Sequence, residues 1–351
     1  MRPGFVLPDF IEECDMERSD WNPAALLQLS GGYWSACVLH AGVKLGVFTA
    51  LAEREMSAGE LAGQIGADVR GATMLLNALA ALDLLEKNGD SYRPTTFAAA
   101  YLSRTSPQYL GHIIMHHHHL MSGWAHLDEA VTSGGALRER MSGGSDATVR
   151  ESFLLGMFNL AMLMAPKIVP AIDLAGRRRL LDLGGGPGTY AIHFCRHNPE
   201  LSAVVYDLPT TREFAEKTIG SFGLGSRIAF NDGDFLHKGI EGRFDVAWLS
   251  HILHGEGPEG CAVILKKAMD ALEPGGMIMV QEFILDDSLD GPLFPALFSL
   301  NMLLGTSTGQ AYSQGDLLGM LAAAGACNLR RLPLELPNGS GIIVGNAPAA
   351  S

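Results

Sequence analysis

Along the first third of the chain, apolar positions recur at helical spacing in short stretches separated by turn signals. Ala36 to Glu53 carries one such stretch. Ser57-Ala58-Gly59-Glu60 has the form of a capping box that opens a second helix, which Gly66 closes. Ala72 to Glu86 predicts a third helix. Asn88-Gly89-Asp90 is a tight-turn signal, and Tyr92-Arg93-Pro94 beyond it predicts a small β wing. Residues 106–170 again read as helical, broken at Ser133-Gly134-Gly135 and Ser142-Gly143-Gly144. From Arg179 onward the pattern changes to short apolar strands alternating with helices: RLLDLGGG, AVVYDLP, RIAFNDGDF, FDVAWLSHIL and MIMVQEFIL. That alternation predicts a mainly parallel, doubly wound sheet. Residues 292–305 are apolar over the length of a buried core helix, and the run 154–175 is interrupted by Pro166, Lys167, Pro170 and Asp173. No membrane span is expected.

Helix–helix–helix–wing is a pattern often used to bind DNA. A DNA-reading third helix needs cationic and amide side chains, whereas GATMLLNALAALDLLE has Arg70 before it and no cation within it. Its composition suits packing against another helix, which favours a dimerisation module. The net charge of −13 also argues against a nucleic-acid surface. The Arg177-Arg178-Arg179 cluster reads as a solvated turn. Five cysteines (Cys14, Cys37, Cys195, Cys261, Cys327) form no CxxC pair, so a disulfide framework or zinc site is not expected and a reducing, cytoplasmic setting fits.

The candidate chemistry sits where strands end. Leu180 to Gly188 runs from a buried strand into a glycine turn, with Gly184, Gly186 and Gly188 in a DxGxGxG pattern and Asp182 two residues before the first. Glycines let the backbone bend sharply and let a ligand approach where a Cβ would sit. Thr189 replaces the last glycine of the dinucleotide fingerprint, and an acid at the turn favours a ligand with a cationic amine, such as S-adenosylmethionine. Asp207 ends the next strand nineteen residues after Gly188, where a carboxylate can accept ribose hydroxyls. Asp234-Phe235 suits an adenine amino group and ring face, or alternatively a helix cap. Leu272-Glu273-Pro274-Gly275-Gly276 stops a helix ahead of a strand.

DLGGGPG, the acid of YDLP, GDF, HILH and LEPGG, in this order and at these intervals, resemble the plant caffeate and hydroxyindole (acetylserotonin) O-methyltransferase family, in a bacterial-like form. The resemblance covers nearly the whole chain. It implies an α/β fold: a Rossmann-like seven-stranded methyltransferase sheet whose last strand, GIIVGN, is antiparallel, behind an N-terminal, mostly helical winged-helix dimerisation domain. The expected layout is a dimerisation domain over 1–105, a helical linker contributing to the substrate pocket over 106–170, and a catalytic domain over 171–351. The resemblance implies S-adenosylmethionine as cofactor, S-adenosylhomocysteine as product, no metal, a small aromatic acceptor and a homodimer. Leu208 and Ser250 join Asp182, Gly184, Gly186, Gly188, Asp207, Asp234 and Phe235 as expected cofactor contacts.

In the family the histidine of HDWxDExC is the general base. The matching segment here begins at His254 and keeps Glu259 and Cys261, but has Gly255 and Glu256 where the Asp and Trp belong. His251 is a competitor, and Glu282 is expected to orient the base histidine. The family's second glutamate falls near Ala311, beside which stands only Gln310. Matching to the family places the acceptor pocket at Phe158, Met162, Met302 and Thr306, although such methionines also suit core packing. The run His116 to His119 reads either as a partly exposed helix face or, with Trp124, as part of a substrate cavity. These departures keep open carbon methylation or a non-methylating use of the cofactor. A winged-helix regulator with a cofactor-sensing domain and a nicotinamide-dependent oxidoreductase are the other classes weighed.

Overall fold

The computed structural model describes residues 21–141, 144 and 146–350. Cys14 and two residues of the second glycine break, Ser142 and Gly143, lie outside them.

The N-terminal region holds α1 (Pro23–Gly31), α2 (Tyr33–Lys44), α3 (Val47–Glu53), β1 (Met56–Ser57), α4 (Ala58–Ile65), α5 (Val69–Ala81), β2 (Leu85–Asn88), β3 (Ser91–Pro94) and α6 (Thr96–Leu102). The expected Ala36–Glu53 helix is two helices. Gly46 takes a left-handed φ of 72° between them, which turns α3 so that Val47, Phe48 and Leu51 face the local core. The Ser57–Glu60 capping box is present, and Gly66 closes α4 with φ 68°. The third helix starts earlier and stops earlier than its apolar periodicity suggests. Asp68 caps its N-terminus, and at the other end Leu85 already belongs to the wing, paired with Pro94 across the hairpin. β1 completes the wing by pairing with β3.

Next come α7 (Gly111–Trp124), α8 (Leu127–Ser133) and α9 (Ala147–Ile168). Asp146 caps α9 by accepting from the amides of Thr148 and Val149. Pro166 lies inside this helix and does not end it. By length and composition alone, Ala147–Ala171 is apolar enough to cross a membrane. Here α9 packs against α7 and α10 (Thr189–His197), as a core helix does.

The remaining strands are β4 (Arg179–Leu183), β5 (Ser202–Asp207), β6 (Ile228–Asp232), β7 (Phe244–Ser250), β8 (Leu272–Leu285), β9 (Tyr312–Ser313), β10 (Cys327–Arg331) and β11 (Ser340–Asn346). The helices between them are α11 (Arg212–Ser221), α12 (Pro258–Asp270), α13 (Leu293–Gly305) and α14 (Gln314–Ala323). The main sheet runs β10-β11-β8-β7-β4-β5-β6, with β11 antiparallel to both of its neighbours, so the seven-stranded arrangement with an antiparallel last strand is present. The short β9 pairs in parallel with the far end of β8 and is additional. Apolar side chains cover both faces of the sheet. One core gathers Phe194, Trp248 and Ile342 with α9 and α10, and the other gathers Ile264, Leu265 and Leu317 from α12 and α14. Burial on both faces is what parallel strands require, and it leaves the C-terminal strand edge for chemistry.

Candidate active site

Two clusters lie along that edge. The first is the turn between β4 and α10. Gly184, Gly186 and Gly188 all have left-handed φ values (66°, 54° and 77°). A Cβ on Gly184 would come within 2.5 Å of Ile252, and one on Gly185 within 2.5 Å of the Asp182 carboxyl. The loop therefore lies flat on Asp182 and admits no side chain at either point. Asp182 accepts from the Ala191 amide at 3.2 Å. Its other oxygen and the hydroxyl of Thr189 are buried without partners. Burial pushes the Asp182 carboxyl up to about 7, and the nearby charge of Asp207 adds to the rise.

Asp207 is brought to the same turn because β5 pairs in register with β4. Its Oδ2 accepts from the Gly186 amide at 2.7 Å, and its Oδ1 from the Leu208 amide at 2.6 Å. Burial raises its pKa against the pull of these amides. Among the described residues, neither Asp182 nor Asp207 forms a side-chain ion pair with a cation. Two close carboxylates lacking a protein counter-charge, beneath a glycine turn, fit a cationic nucleoside such as a sulfonium better than a pyrophosphate. S-adenosylmethionine passes that test. Asp234 and Phe235 follow β6 and do not end it. The Asp234 oxygens are bound by the Leu236 amide at 2.9 Å and the His237 ring at 2.8 Å, and these bonds outweigh burial and lower its pKa. Asp234 thus closes a turn and caps no helix, with half-buried Phe235 beside it. Ser250 donates to Gln281 at 3.0 Å, and Gln281 reaches Ser340 at 3.4 Å, in a polar row across β7, β8 and β11.

The second cluster joins the turn after β7 to the end of β8. Glu282 Oε1 accepts from the Leu253 and His254 amides at 2.9 and 3.3 Å. Its Oε2 meets His254 Nδ1 at 2.7 Å and lies 3.5 Å from His251 Nδ1. The longer contact is electrostatic, since the His251 nitrogen has no hydrogen-bond partner. Burial would raise the Glu282 pKa, but the two imidazoles outweigh it and hold the carboxyl far below the usual range. An ionised carboxylate only accepts, so Nδ1 of His254 carries a proton, and in the neutral ring the lone pair is then on Nε2. His251 reaches this position through a left-handed φ of 55°. The same three side chains bring possible metal-ligand atoms within 4.8 Å of one another.

The sequence did not reveal the aromatic wall around this dyad. The His254 ring packs edge-on to Phe298 at 4.8 Å, His251 lies 4.3 Å from Phe283, and Phe294 completes the group. The only available signal was Phe294 and Phe298 four apart on one helix. Also unanticipated is the way the turn is pinned. Tyr312 donates to the Glu256 carbonyl at 2.6 Å, Thr308 accepts from the Gly257 amide at 3.0 Å, and Arg140 binds the Gly255 carbonyl and the Glu256 carboxylate. No second carboxylate reaches His254 from the Ala311 position. That alanine is buried and its amide donates to Ser299.

Of the expected pocket residues, Phe158 and Met162 are half-buried on α9, and the Met162 sulfur is 3.4 Å from His193. Met302 is buried on α13. The Thr306 hydroxyl is held in its own turn, donating to the Met302 carbonyl and accepting from the Gly309 amide. In the histidine run, His116 is buried, and burial is the main force lowering its pKa to about 3. His119 lines a cavity of about 490 Å³.

The family model for an O-methyltransferase domain matches residues 124–326, and that for an O-methyltransferase dimerisation domain matches residues 27–104. The chain is 34% identical to 3-hydroxy-5-methyl-1-naphthoate 3-O-methyltransferase of Streptomyces sahachiroi, over 92% of this chain and 95% of that protein. It is 31% identical to the tetracenomycin polyketide synthesis 8-O-methyl transferase of Streptomyces glaucescens, over 90% and 95% respectively. Human N-acetylserotonin methyltransferase, solved in complex with S-adenosylmethionine, superposes with a TM-score of 0.81 at 26% identity, over 94% of this chain and 99% of that one.

Proposed function

Since this chain belongs to the O-methyltransferase family and carries that family's dimerisation domain, we propose that His254 is the general base that readies the hydroxyl of a small aromatic acceptor for methylation. The enzyme is an S-adenosylmethionine-dependent O-methyltransferase; the identities of base, cofactor contacts and acceptor are the proposal. The observation that carries it is the 2.7 Å contact between His254 Nδ1 and an ionised, buried Glu282.

A phenol has a pKa of about 10, so at neutral pH its proton must be taken during the reaction. The lone pair on His254 Nε2 accepts that proton, and Glu282 stabilises the imidazolium that forms. The two amides on Glu282 Oε1 fix the carboxylate and hence the ring plane. S-adenosylmethionine supplies an electrophilic methyl on a sulfonium. Asp207 would hold its ribose, and the turn from Gly184 to Gly188 over Asp182 its amino-acid end. Leu208, Asp234, Phe235 and Ser250 would line the remainder. Methyl displacement is in-line, so positioning contributes much of the rate. Phe283, Phe294 and Phe298, packed around the two histidines, would flank a flat acceptor, and the relative named for 3-hydroxy-5-methyl-1-naphthoate supports an aromatic one.

Turnover of labelled cofactor with a panel of phenols and naphthols tests the activity. Unchanged turnover in His254→Ala would refute the base assignment, and a loss in His251→Ala alone would move the role to His251. The metal-free reading predicts that EDTA leaves the rate unaltered. Homodimerisation is proposed through α1 and α2, where Leu26, Leu27, Tyr33 and Trp34 are exposed apolar groups. Sedimentation of Leu27→Asp should give a monomer.

A further inference from the structure

Glu282 divides its two oxygens between two tasks. Oε1 takes the Leu253 and His254 amides at 2.9 and 3.3 Å, which fixes the carboxylate and leaves Oε2 facing two imidazoles. His254 Nδ1 stands 2.7 Å from Oε2, and His251 Nδ1 stands 3.5 Å from it. The first contact is a hydrogen bond. The second is not, because His251 Nδ1 is buried with no hydrogen-bond partner. Neither tautomer of His251 relieves this: a proton on Nδ1 finds no aligned acceptor, and a lone pair there faces an anionic oxygen. His251 is nonetheless held in place. Its amide donates to the Gln281 carbonyl at 2.8 Å, and its ring packs 4.3 Å from Phe283. Phe298 holds the His254 ring in the same way at 4.8 Å. One nitrogen from each ring and one oxygen of Glu282 therefore lie within 4.8 Å of one another on fixed supports.

We propose that His251, His254 and Glu282 form a binding site for one zinc ion, and that zinc bound there switches off the base. Ligands about 2.0–2.1 Å from a tetrahedral zinc stand roughly 3.3 Å from one another. The 2.7 and 3.5 Å separations around Oε2 bracket that spacing. Two imidazoles and one carboxylate are a zinc ligand set, whereas magnesium takes oxygen ligands and keeps several waters. The amides on Oε1 are the outer hydrogen bonds that orient a ligating carboxylate. The His251 and His254 side chains are 24% and 16% exposed, so an ion reaches the cluster from solvent. The protons balance. Zinc at His254 Nδ1 displaces the proton held against Glu282, and the neutral ring takes one from solvent at Nε2, with no net release. Nε2 is then a donor and accepts nothing from a phenol. If zinc takes Nε2 instead, it consumes the same lone pair. Zinc is thus an inhibitor and not a cofactor, and the metal-free reaction stands. The loss of turnover rests on His254 as the base proposed above; the binding of zinc does not.

The test titrates zinc chloride into metal-stripped full-length enzyme by calorimetry and follows initial rates, with the best acceptor of the phenol and naphthol panel, at the same free zinc concentrations. One zinc per chain should bind at the cluster, and the wild-type rate should fall by roughly 10²-fold at saturation, as for loss of a positioned base. EDTA should restore the rate, and magnesium chloride should neither bind nor inhibit. His251→Asn, which tolerates the left-handed φ, and Glu282→Gln should each weaken zinc by about 100-fold or more, beyond the 10- to 100-fold of losing an outer partner. Inhibition of each variant is read against its own metal-free rate. The histidine run on α7 is a separate source of imidazoles, so His118→Gln, whose ring meets Lys44 away from this cluster, serves as control and should bind zinc as the wild type does. Zinc affinity unchanged in both His251→Asn and Glu282→Gln overturns the site. No heat and no inhibition in the wild type also removes it, and leaves the methyl-transfer reading standing. Zinc held at the cluster with turnover undiminished overturns the switch and His254 as the base together. If no acceptor is methylated at all, the acceptor assignment fails, and calorimetry alone decides the site.

Discussion

Asp182 and Glu282 are carboxylic acids on one sheet, 1% and 2% exposed, and their pKa values are driven in opposite directions. Asp182 rises to about 7, while Glu282 falls far below the carboxylate range. The difference lies in their neighbours, since burial penalises the charge of both. Glu282 has two backbone amides and two imidazoles around it. Asp182 has one amide and a second carboxylate nearby. The proposed base end of the site is thus electrostatically complete within the protein, and the proposed cofactor end is left for a positive ligand to complete. Burial alone does not set the state of a carboxyl; the partners set it.

The largest expected effect comes from breaking the completed end. His254→Ala and Glu282→Gln should each lower kcat by roughly 10²- to 10⁴-fold, the range associated with a positioned base. Because they act as one unit, the double variant should be little worse than either single one. Single-turnover kinetics would check this, and an additive double loss would mean that the two side chains work separately.

At the incomplete end the sign of the pH effect differs. The folded-state pKa of Asp182 is raised, so the unfolded chain loses this proton first as pH increases. Its contribution to stability is largest below the unfolded value near 4 and is lost as pH rises to about 7. Asp182→Asn removes that loss, so in the ligand-free protein the variant should melt progressively higher than wild type from pH 5 to 7. At about 1.4 kcal/mol per pKa unit the gain reaches no more than ~4 kcal/mol above pH 7. Saturating S-adenosylmethionine should shrink the difference by lending the wild-type carboxylate a counter-charge. A melting difference that stays flat across this range would dissolve the contrast with Glu282.

Asp207 sharpens the same contrast through binding. Replacing it with Ala should weaken S-adenosylmethionine by roughly 10- to 100-fold in calorimetry, the effect of losing hydrogen bonds to a charged acceptor. It should alter kcat less than the dyad variants do.

The two ends were unequally legible in the sequence. The cofactor turn is a local device: glycines that need left-handed φ and acids at strand ends are visible in a linear string, and register between β4 and β5 does the rest. The dyad was legible only in part. His254 follows β7 and Glu282 lies near the end of β8, but Phe283, Phe294 and Phe298 converge only once α13 lies against β8. Arg138 fits against α13 only because Gly305 carries no Cβ, and nothing in the sequence pairs these two distant positions. Where local patterning misled, a neighbouring element won. The helical period continues to Glu86, yet pairing in the wing takes Leu85 to Asn88 as a strand.

The smallest effect concerns the two positions that depart from the family motif. Gly255 and Glu256 make joint sense beside Arg140. A Cβ on Gly255 would stand 2.7 Å from Arg140 Nη2, and Glu256 gives that nitrogen a carboxylate partner at 2.5 Å. The pair ties the segment after α8 to the turn that carries His254. Because the Arg140 side chain is 46% exposed, solvent screens the contact, and pairs of this kind contribute about 1 kcal/mol or less. Arg140→Ala and Glu256→Gln should therefore each cost no more than about fivefold, in KM for the acceptor rather than in kcat. Raised salt should produce a similar change in the wild type and none in the variants. A drop of 10²-fold in kcat would instead mean that this surface pair sets the angle of the base, and the electrostatic completeness of the dyad would then reach out to Arg140.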